Sequence, residues 1–198
     1  MVRQFTRFYL GGCGRGGGVV MIKKYHHPEK VTGLDYSGNA IRLCRKNHRD
    51  EDFSFVEGDA ENLPFNGESF DAVINVESSH CYASMNRFLS EAHRVLKPGG
   101  CLLYADLRYA VELEALDKAI GKSDLEVVKR TDITANVVKA LDEDHSRRMK
   151  DISENVSKPF VRQFQEFAGV KDSIVYKQLA SRNSVYFSYV LGKMHSCS

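Results

Sequence analysis

The stretch Phe8 to Gly18, FYLGGCGRGGG, narrows the fold more than any other part of the chain. A short apolar run, Phe5 to Leu10, leads into the glycines, and the segment Gly16 to Tyr25 can form a helix. Strand, glycine turn and helix make the opening unit of a largely parallel α/β sheet. Glycine belongs at such a turn because the backbone bends sharply and a Cβ would block close approach to a ligand. The helix start then offers free N–H groups to a polar or anionic group. Gly12, Gly14 and Gly16 alone do not choose the ligand, since Gly12, Gly14 and Gly17 also satisfy a dinucleotide fingerprint. A glycine-rich surface loop near a chain end is the plainer alternative.

The rest of the chain alternates in the same way. Lys30 to Asp35 reads as a second strand ending in an acid, and Ser37 can cap a helix whose apolar side carries Ile41 and Cys44. Phe53 to Glu57 and Phe70 to Val76 read as strands three and four. Ser84 opens a helix with Phe88, Leu89, Ala92, Val95 and Leu96 on one face. Lys97-Pro98-Gly99-Gly100 reads as its stop, followed by a fifth strand from Cys101 to Ala105. Leu125 to Asp132 suits a strand, Thr134 to Asn155 a polar-rich helix, and the alternating segment from Ser184 a final antiparallel strand. No repeat, low-complexity tract or linker interrupts the 198 residues. One domain over residues 1–198 is the expectation, and that length can bury one core.

Bulk properties exclude some function classes. The formal charge is +2 with acids and bases interleaved, and no basic stripe marks a nucleic-acid partner. Five cysteines are irregularly spaced, with no CxxC pair and no Cys/His spacing suited to a metal. They read as reduced thiols. No apolar run approaches the length of a membrane span and no signal peptide is visible, so a soluble cytoplasmic protein is expected.

Asp35 adds chemistry. It ends the second strand at the distance from the glycines where a carboxylate accepts both ribose hydroxyls of an adenosine cofactor, NAD or S-adenosylmethionine alike. A solvated strand-end acid is the bland alternative. The choice comes from GDAENLPF (Gly58 to Phe65), SFDAVINVESSHCY (Ser69 to Tyr82), RVLKPGG (Arg94 to Gly100), LLYADLR (Leu102 to Arg108) and FVRQFQEFAGVKDS (Phe160 to Ser173). On these segments the chain resembles the class I S-adenosylmethionine-dependent methyltransferases, in the small-molecule and lipid branch that includes quinone and sterol methyltransferases. The nearest likeness within it is to the phthiotriolone dimycocerosate O-methyltransferases. The resemblance covers residues 11 to 193.

What the resemblance implies is specific. The fold would be a Rossmann-like seven-stranded, mostly parallel sheet with an antiparallel last strand and helices on both faces. The cofactor would be S-adenosyl-L-methionine, with Gly12, Gly14 and Gly16 around its methionine part. Asp35 would hold the ribose, Tyr36 would lie beside the adenine, Asp59 would accept from the adenine amino group, and the Ala60 backbone would read a ring nitrogen. Asn75 and Glu77 would leave the fourth strand at the ligand-binding edge. For Asp59 a plain turn aspartate is the alternative. The amino-methyltransferase motif (N/D)PP(Y/F) is replaced by Asn75-Val76-Glu77-Ser78, which disfavours that subclass.

Methyl transfer from a sulfonium chiefly requires alignment and exclusion of water, and a hydroxyl acceptor benefits from a base of suitable pKa. His80, in the loop beyond Asn75, is the first candidate base. His145 is the second, on a helical stripe with Leu141 and Met149, where a core histidine is the commoner explanation. Phe160, Phe164 and Phe167 form a helical aromatic stripe, where core packing is the commoner explanation and substrate contact the alternative. Residues 133–183 would be variable lid helices selecting an apolar small-molecule or lipid acceptor, with O-methylation of a hydroxyl expected and C-methylation the nearest variant. Leu10 stands where the family pattern has an acid, and the helical N-terminal cap of the family is absent ahead of the glycines. A truncated or degenerate protein without turnover is therefore one alternative. An NAD(P)-dependent oxidoreductase is another, although GDAENLPF and RVLKPGG have no role in it.

Overall fold

The computed structural model describes residues 5–194. Its strands are β1 (Arg7–Gly11), β2 (Lys30–Asp35), β3 (Phe53–Glu57), β4 (Phe70–Val76), β5 (Leu96–Tyr109), β6 (Glu126–Asp132) and β7 (Ser184–Gly192). They form one seven-stranded sheet in the order β3-β2-β1-β4-β5-β7-β6. The helices are α1 (Gly17–His26), α2 (Gly38–Asn47), α3 (Met85–Val95), α4 (Leu113–Gly121), α5 (Thr134–Asn155), α6 (Val161–Ala168) and α7 (Ile174–Ala180). The mostly parallel sheet with helices around it is the expected architecture. Two short helices, α4 and α7, are additional to the elements read from the sequence.

The register decides where the functional residues fall. β1 pairs in parallel with both β2 and β4, so Gly11 stands beside Leu34 on one side and Asn75 on the other. Asp35 in turn faces Glu57, and Val76 faces Ala105. The carboxyl ends of five strands therefore share one edge of the sheet, the edge at which open α/β folds bind ligands.

Alternation along β1 divides the core. Phe8 and Leu10 join Val19 and Ile22 of α1, Ile41 and Cys44 of α2, and Val31 of β2 in one buried apolar cluster. Tyr9 points the other way, fully buried, with Phe65 and Phe70 rings each 5.5 Å away. On α3, Phe88, Leu89, Ala92 and Val95 are all buried, as their spacing predicts.

Lys97-Pro98-Gly99-Gly100 differs from its expected role. α3 ends at Val95, and the four residues already belong to β5, where the register with β4 jumps between the Phe70–Leu96 and Ala72–Cys101 pairs. The backbone stays paired through this bulge because Gly99 N–H donates to the Lys193 carbonyl (2.7 Å) and Lys193 N–H to the Gly100 carbonyl (2.9 Å). These bonds join the start of β5 to the end of β7, so the last strand runs antiparallel. Pro98, which lacks a donor, is tolerated at such a bulge.

The chain forms two compact units. The first takes in the described residues up to Asp106, Glu114–Arg130 and those from Ser188 on; the second is Leu107–Leu113 with Thr131–Phe187. In the second, α5 packs against α6 and α7. Its start is held by Thr134, whose hydroxyl accepts from Tyr186 N–H (2.9 Å), and by Asp132, which pairs with Arg182. Among the described residues no helix is long and apolar enough to cross a membrane.

At the amino-terminal edge of the sheet, buried Asp71 accepts from the backbone of Thr6 (3.2 Å) and Arg7 (3.0 Å) and from Lys97 Nζ (3.0 Å). Burial alone would raise its pKa, but the Lys97 ammonium and the two amides outweigh it and hold the carboxyl below its usual range. A depressed carboxylate stabilises the fold above its unfolded pKa of about 3.9 and loses that contribution as pH falls through the folded value. Asp71→Ala is expected to lower unfolding free energy by about 2–3 kcal/mol at pH 7. In urea melts the gap between variant and wild type should narrow below about pH 4. A gap constant with pH would mean the carboxylate charge is not what holds this edge.

Candidate active site

The glycine loop leaves β1 and folds back over the end of β2. Cys13 N–H donates to the Leu34 carbonyl (2.9 Å), and Gly14 N–H donates to Asp35 Oδ2 (2.8 Å). Ser37 N–H donates to Asp35 Oδ1 (2.9 Å), and the Ser37 hydroxyl caps α2 by accepting from Ala40 N–H. Each Asp35 oxygen thus accepts one backbone amide and keeps a second lone pair. Gly12 and Gly14 have φ of +64° and +53°, angles that other residues adopt only under strain. A Cβ on Gly12 would come within 2.4 Å of Ser78 Cβ, while one on Gly14 would meet nothing within 4 Å. The loop is therefore tight against the turn after β4 on one side and open on the other.

A cleft of about 580 Å³ lies at this edge, within the range of small-ligand pockets, roughly 300–1,000 Å³. Gly12, Asp35, Tyr36, Asp59, Ala60 and Glu77 line it together. Tyr36 is largely exposed at its rim and Ala60 is buried. Gly14 reaches this assembly through its bond to Asp35, whereas Gly16 caps α1 and packs on the His48 ring. Asp59 occupies a tight turn, with Oδ1 accepting from Glu61 N–H (2.8 Å), and its other oxygen has no partner among the described residues. The turn and the cleft wall are the same residue. Glu61 also accepts from Ala83 N–H (2.6 Å), tying this wall to the loop after β4.

The wall formed by Gly58 to Phe65 is braced from α3. Arg94 donates to the carbonyls of Leu63 (3.0 Å) and Phe65 (2.7 Å) and grips Glu91 through two bonds of 2.7 Å. Glu91 in turn accepts from Leu63 N–H (2.7 Å). Hydrogen bonds from Arg94, the dominant effect, hold the Glu91 carboxyl below its usual range.

Asn75 is fully buried behind the cleft. Its amide donates to Ser78 Oγ (2.8 Å) and Tyr82 OH (2.7 Å), both of which line the cleft, and its Oδ1 has no partner among the described residues. Burial pushes the Tyr82 hydroxyl pKa up, against hydrogen bonds from Ser78 and Asn75 that pull it down. Glu77 bends out of β4 at φ +50° into the cleft. Such a left-handed non-glycine residue costs about 1–2 kcal/mol and is the kind of strain found at functional sites.

His80 sits on a short 3-10 turn, Ser79–Cys81, between residues that line the cleft. Its Nδ1 lies 2.8 Å from Asp106 Oδ1, and its backbone N–H donates to Asp106 Oδ2 (3.0 Å). Asp106 is fully buried and also accepts from Ser79 Oγ (2.6 Å). His145 belongs to the second unit, where its Nδ1 accepts from Lys171 N–H (3.2 Å). On its stripe Leu141 is buried and Met149 half-buried, the latter accepting from Gln165. Phe160, Phe164 and Phe167 are not core: they are 55%, 46% and 90% exposed, and α6 buries none of its residues. α6 approaches α5 through Gln165 instead, which leaves the aromatic side outward.

Two thiols lie under the glycine loop. The Cys44 thiol donates to the Gly14 carbonyl (3.2 Å). Burial, reinforced by Cys44 and Asp35, pushes the Cys13 pKa up to about 12. Leu10 belongs to the same apolar cluster and abuts the start of α1, so at this position the chain has packing where an acid is expected. Arg94, Glu91, Ser78, Tyr82 and Asp106 escape a reading by residue spacing. Asp106 alone carries a visible signal, as the acid that ends the apolar run Leu102 to Ala105.

A family model described as a methyltransferase domain matches residues 11–104. The phthiotriol/phenolphthiotriol dimycocerosates methyltransferase of Mycobacterium tuberculosis is 39% identical over 199 residues, covering 96% of this chain and 73% of that protein. The fatty-acid O-methyltransferase of Mycolicibacterium smegmatis is 33% identical over 183 residues, covering 92% of this chain and 66% of that protein. Among solved structures, the phosphoethanolamine N-methyltransferase 2 of Haemonchus contortus in complex with S-adenosyl-L-methionine superposes with a TM-score of 0.83. It is 19% identical, spans 98% of this chain and 50% of that one, and shares the fold.

Gly12→Ala is expected to lower the melting temperature by about 4–8 °C, from the positive φ and the contact with Ser78 together. Adding Ser78→Gly should recover part of the loss, because the contact goes and the φ penalty stays. A Gly12→Ala protein that melts like the wild type would mean the loop is not built this way.

Proposed function

The chain belongs to the S-adenosylmethionine-dependent methyltransferase family, and on that premise we propose that it methylates a hydroxyl oxygen of an apolar small molecule or lipid. The observation that carries the reading is His80: an imidazole beside the cleft, braced by a buried carboxylate, suits an acceptor that must lose a proton. One relative's name specifies transfer to oxygen on a fatty acid, and another's specifies dimycocerosates of phthiotriol. Both point to a lipid-like acceptor.

The residues present suit S-adenosylmethionine. The open side of Gly14 leaves room for the methionine part, with Gly12 and Gly16 shaping the loop around it. The spare lone pairs of Asp35 are placed to accept ribose hydroxyls, and Tyr36 to lie along the adenine. The unpartnered oxygen of Asp59 suits the adenine amino group, and the backbone of Ala60 a ring nitrogen. Glu77 closes the wall, while Asn75 acts from behind by fixing Ser78 and Tyr82.

When bound, the cofactor supplies a methyl group already activated by the positive sulfonium. The protein's own part is to hold the acceptor, exclude water and take up the hydroxyl proton, which we assign to His80. His145, held by the Lys171 amide, is the second candidate. We assign acceptor selection to the helices within residues 133–183, in a single methyltransferase domain. The thiols of Cys13, Cys44 and Cys81 accord with a cytoplasmic setting.

Calorimetric titration with S-adenosylhomocysteine should show micromolar binding, weakened about 100-fold or more in Asp35→Ala, since charge-assisted hydrogen bonds are worth about 1.5–3 kcal/mol each. Equal affinity in the variant would remove Asp35 from the cofactor site, and absence of binding in the wild type would favour a protein without turnover. Labelled methyl transfer is then measured with 1-hexadecanol, 4-nonylphenol and hexadecanoic acid as acceptor probes. An ether product is expected; a carbon-methylated product would overturn O-methylation. His80→Gln should lower kcat by about 10²- to 10⁴-fold with unchanged S-adenosylhomocysteine affinity.

A further inference from the structure

We infer that Asp106 is a positioning residue that fixes His80 in its Nδ1–H tautomer and so leaves Nε2 as the proton acceptor. This rests on His80 being the base. The hydrogen-bond pattern at the carboxylate carries the inference. Oδ2 receives two donors, the Ser79 hydroxyl at 2.6 Å and the His80 backbone N–H at 3.0 Å. Oδ1 faces His80 Nδ1 at 2.8 Å. An ionised carboxylate only accepts, so Nδ1 must carry the hydrogen and Nε2 the lone pair. Nε2 has no protein partner among the described residues, and the His80 side chain is 45% exposed, whereas the Asp106 side chain is wholly buried.

Ser79 completes the arrangement. Its one hydrogen goes to Asp106, so the contact of 2.8 Å with Tyr104 is a bond donated by the tyrosine hydroxyl. Tyr104 and Ser79 thus form a directed chain ending at the Asp106 carboxylate, to which the imidazole also donates. Each donor in it points towards the carboxylate.

The same pattern dictates what the substitution Asp106→Asn would do. A backbone N–H cannot become an acceptor, so the oxygen of the new amide would have to stay at the Oδ2 position. Its NH₂ would then face Nδ1, which could bond to it only as an acceptor. The ring would switch to the Nε2–H tautomer, and the atom that accepts the proton would be blocked. Geometry would be kept while chemistry was lost.

The test is a long-range ¹⁵N–¹H correlation spectrum of the histidine rings in the full chain under mildly alkaline conditions, with His80 identified by its loss in H80Q. Wild-type His80 is expected as Nδ1–H, and Asp106→Asn as Nε2–H. Asp106→Asn should also lower kcat on 4-nonylphenol by about 10²- to 10⁴-fold, with S-adenosylhomocysteine affinity within about twofold of wild type. The tautomer readout needs no turnover, and a merely structural Asp106 would not move it. Wild-type His80 found as Nε2–H overturns the inference, and that measurement decides alone if Asp106→Asn fails to fold. Loss of rate in His80→Gln with an unaltered rate and tautomer in Asp106→Asn overturns this inference and spares the base. A His80→Gln protein with the wild-type rate overturns both.

Discussion

The parallel pairing of β1 with β2 on one side and β4 on the other sets everything that follows. Parallel strands in register end together, and here Gly11, Leu34 and Asn75 end side by side. Residues distant in sequence, from Gly12 to Glu77, are gathered into one cleft by that alignment alone. A slip of one residue in β1 would turn Phe8 and Leu10 away from α1 and α2 and turn Tyr9 into them. Cleft and core are thus specified by the same register, and neither can be altered without the other.

The bonds added at this edge are few and shared. Asp35 joins the glycine loop to the start of α2 with one carboxylate, and Arg94 joins α3 to the wall from Gly58 to Phe65 with one guanidinium. The second bond gives GDAENLPF and RVLKPGG a physical reason to stand in the same chain. Arg94 in one motif satisfies carbonyls in the other, so each is the structural condition of its partner. Planar, multi-donor recognition of this kind is what distinguishes arginine from lysine.

Most of the sheet was legible because its signals are local: alternation in β7, an apolar face on α3, Ser37 and Ser84 as caps. The cleft was legible where a backbone requirement shows through, as at Gly12, or where an acid ends a strand, as at Asp35. What escaped depends on partners far along the chain. Lys97-Pro98-Gly99-Gly100 has the composition of a helix stop, and only pairing with Lys193 makes it strand. Phe160, Phe164 and Phe167 have the period of a buried face, but α6 meets its neighbour through Gln165. Periodicity tells which residues share a side, not whether that side is covered. Arg94, Glu91 and Asp106 act through carbonyls, amides and a ring in other segments, a pairing that no single stretch records.

The two thiols beneath the glycine loop give that loop a chemical marker. Only a thiolate is alkylated readily, and Cys13, buried and with a pKa of about 12, offers almost none while the loop is closed. Cys81, by contrast, is exposed at the cleft. A reagent added to the native protein therefore meets Cys81 first, and would reach Cys13 only where the packing of the loop on the sheet is broken.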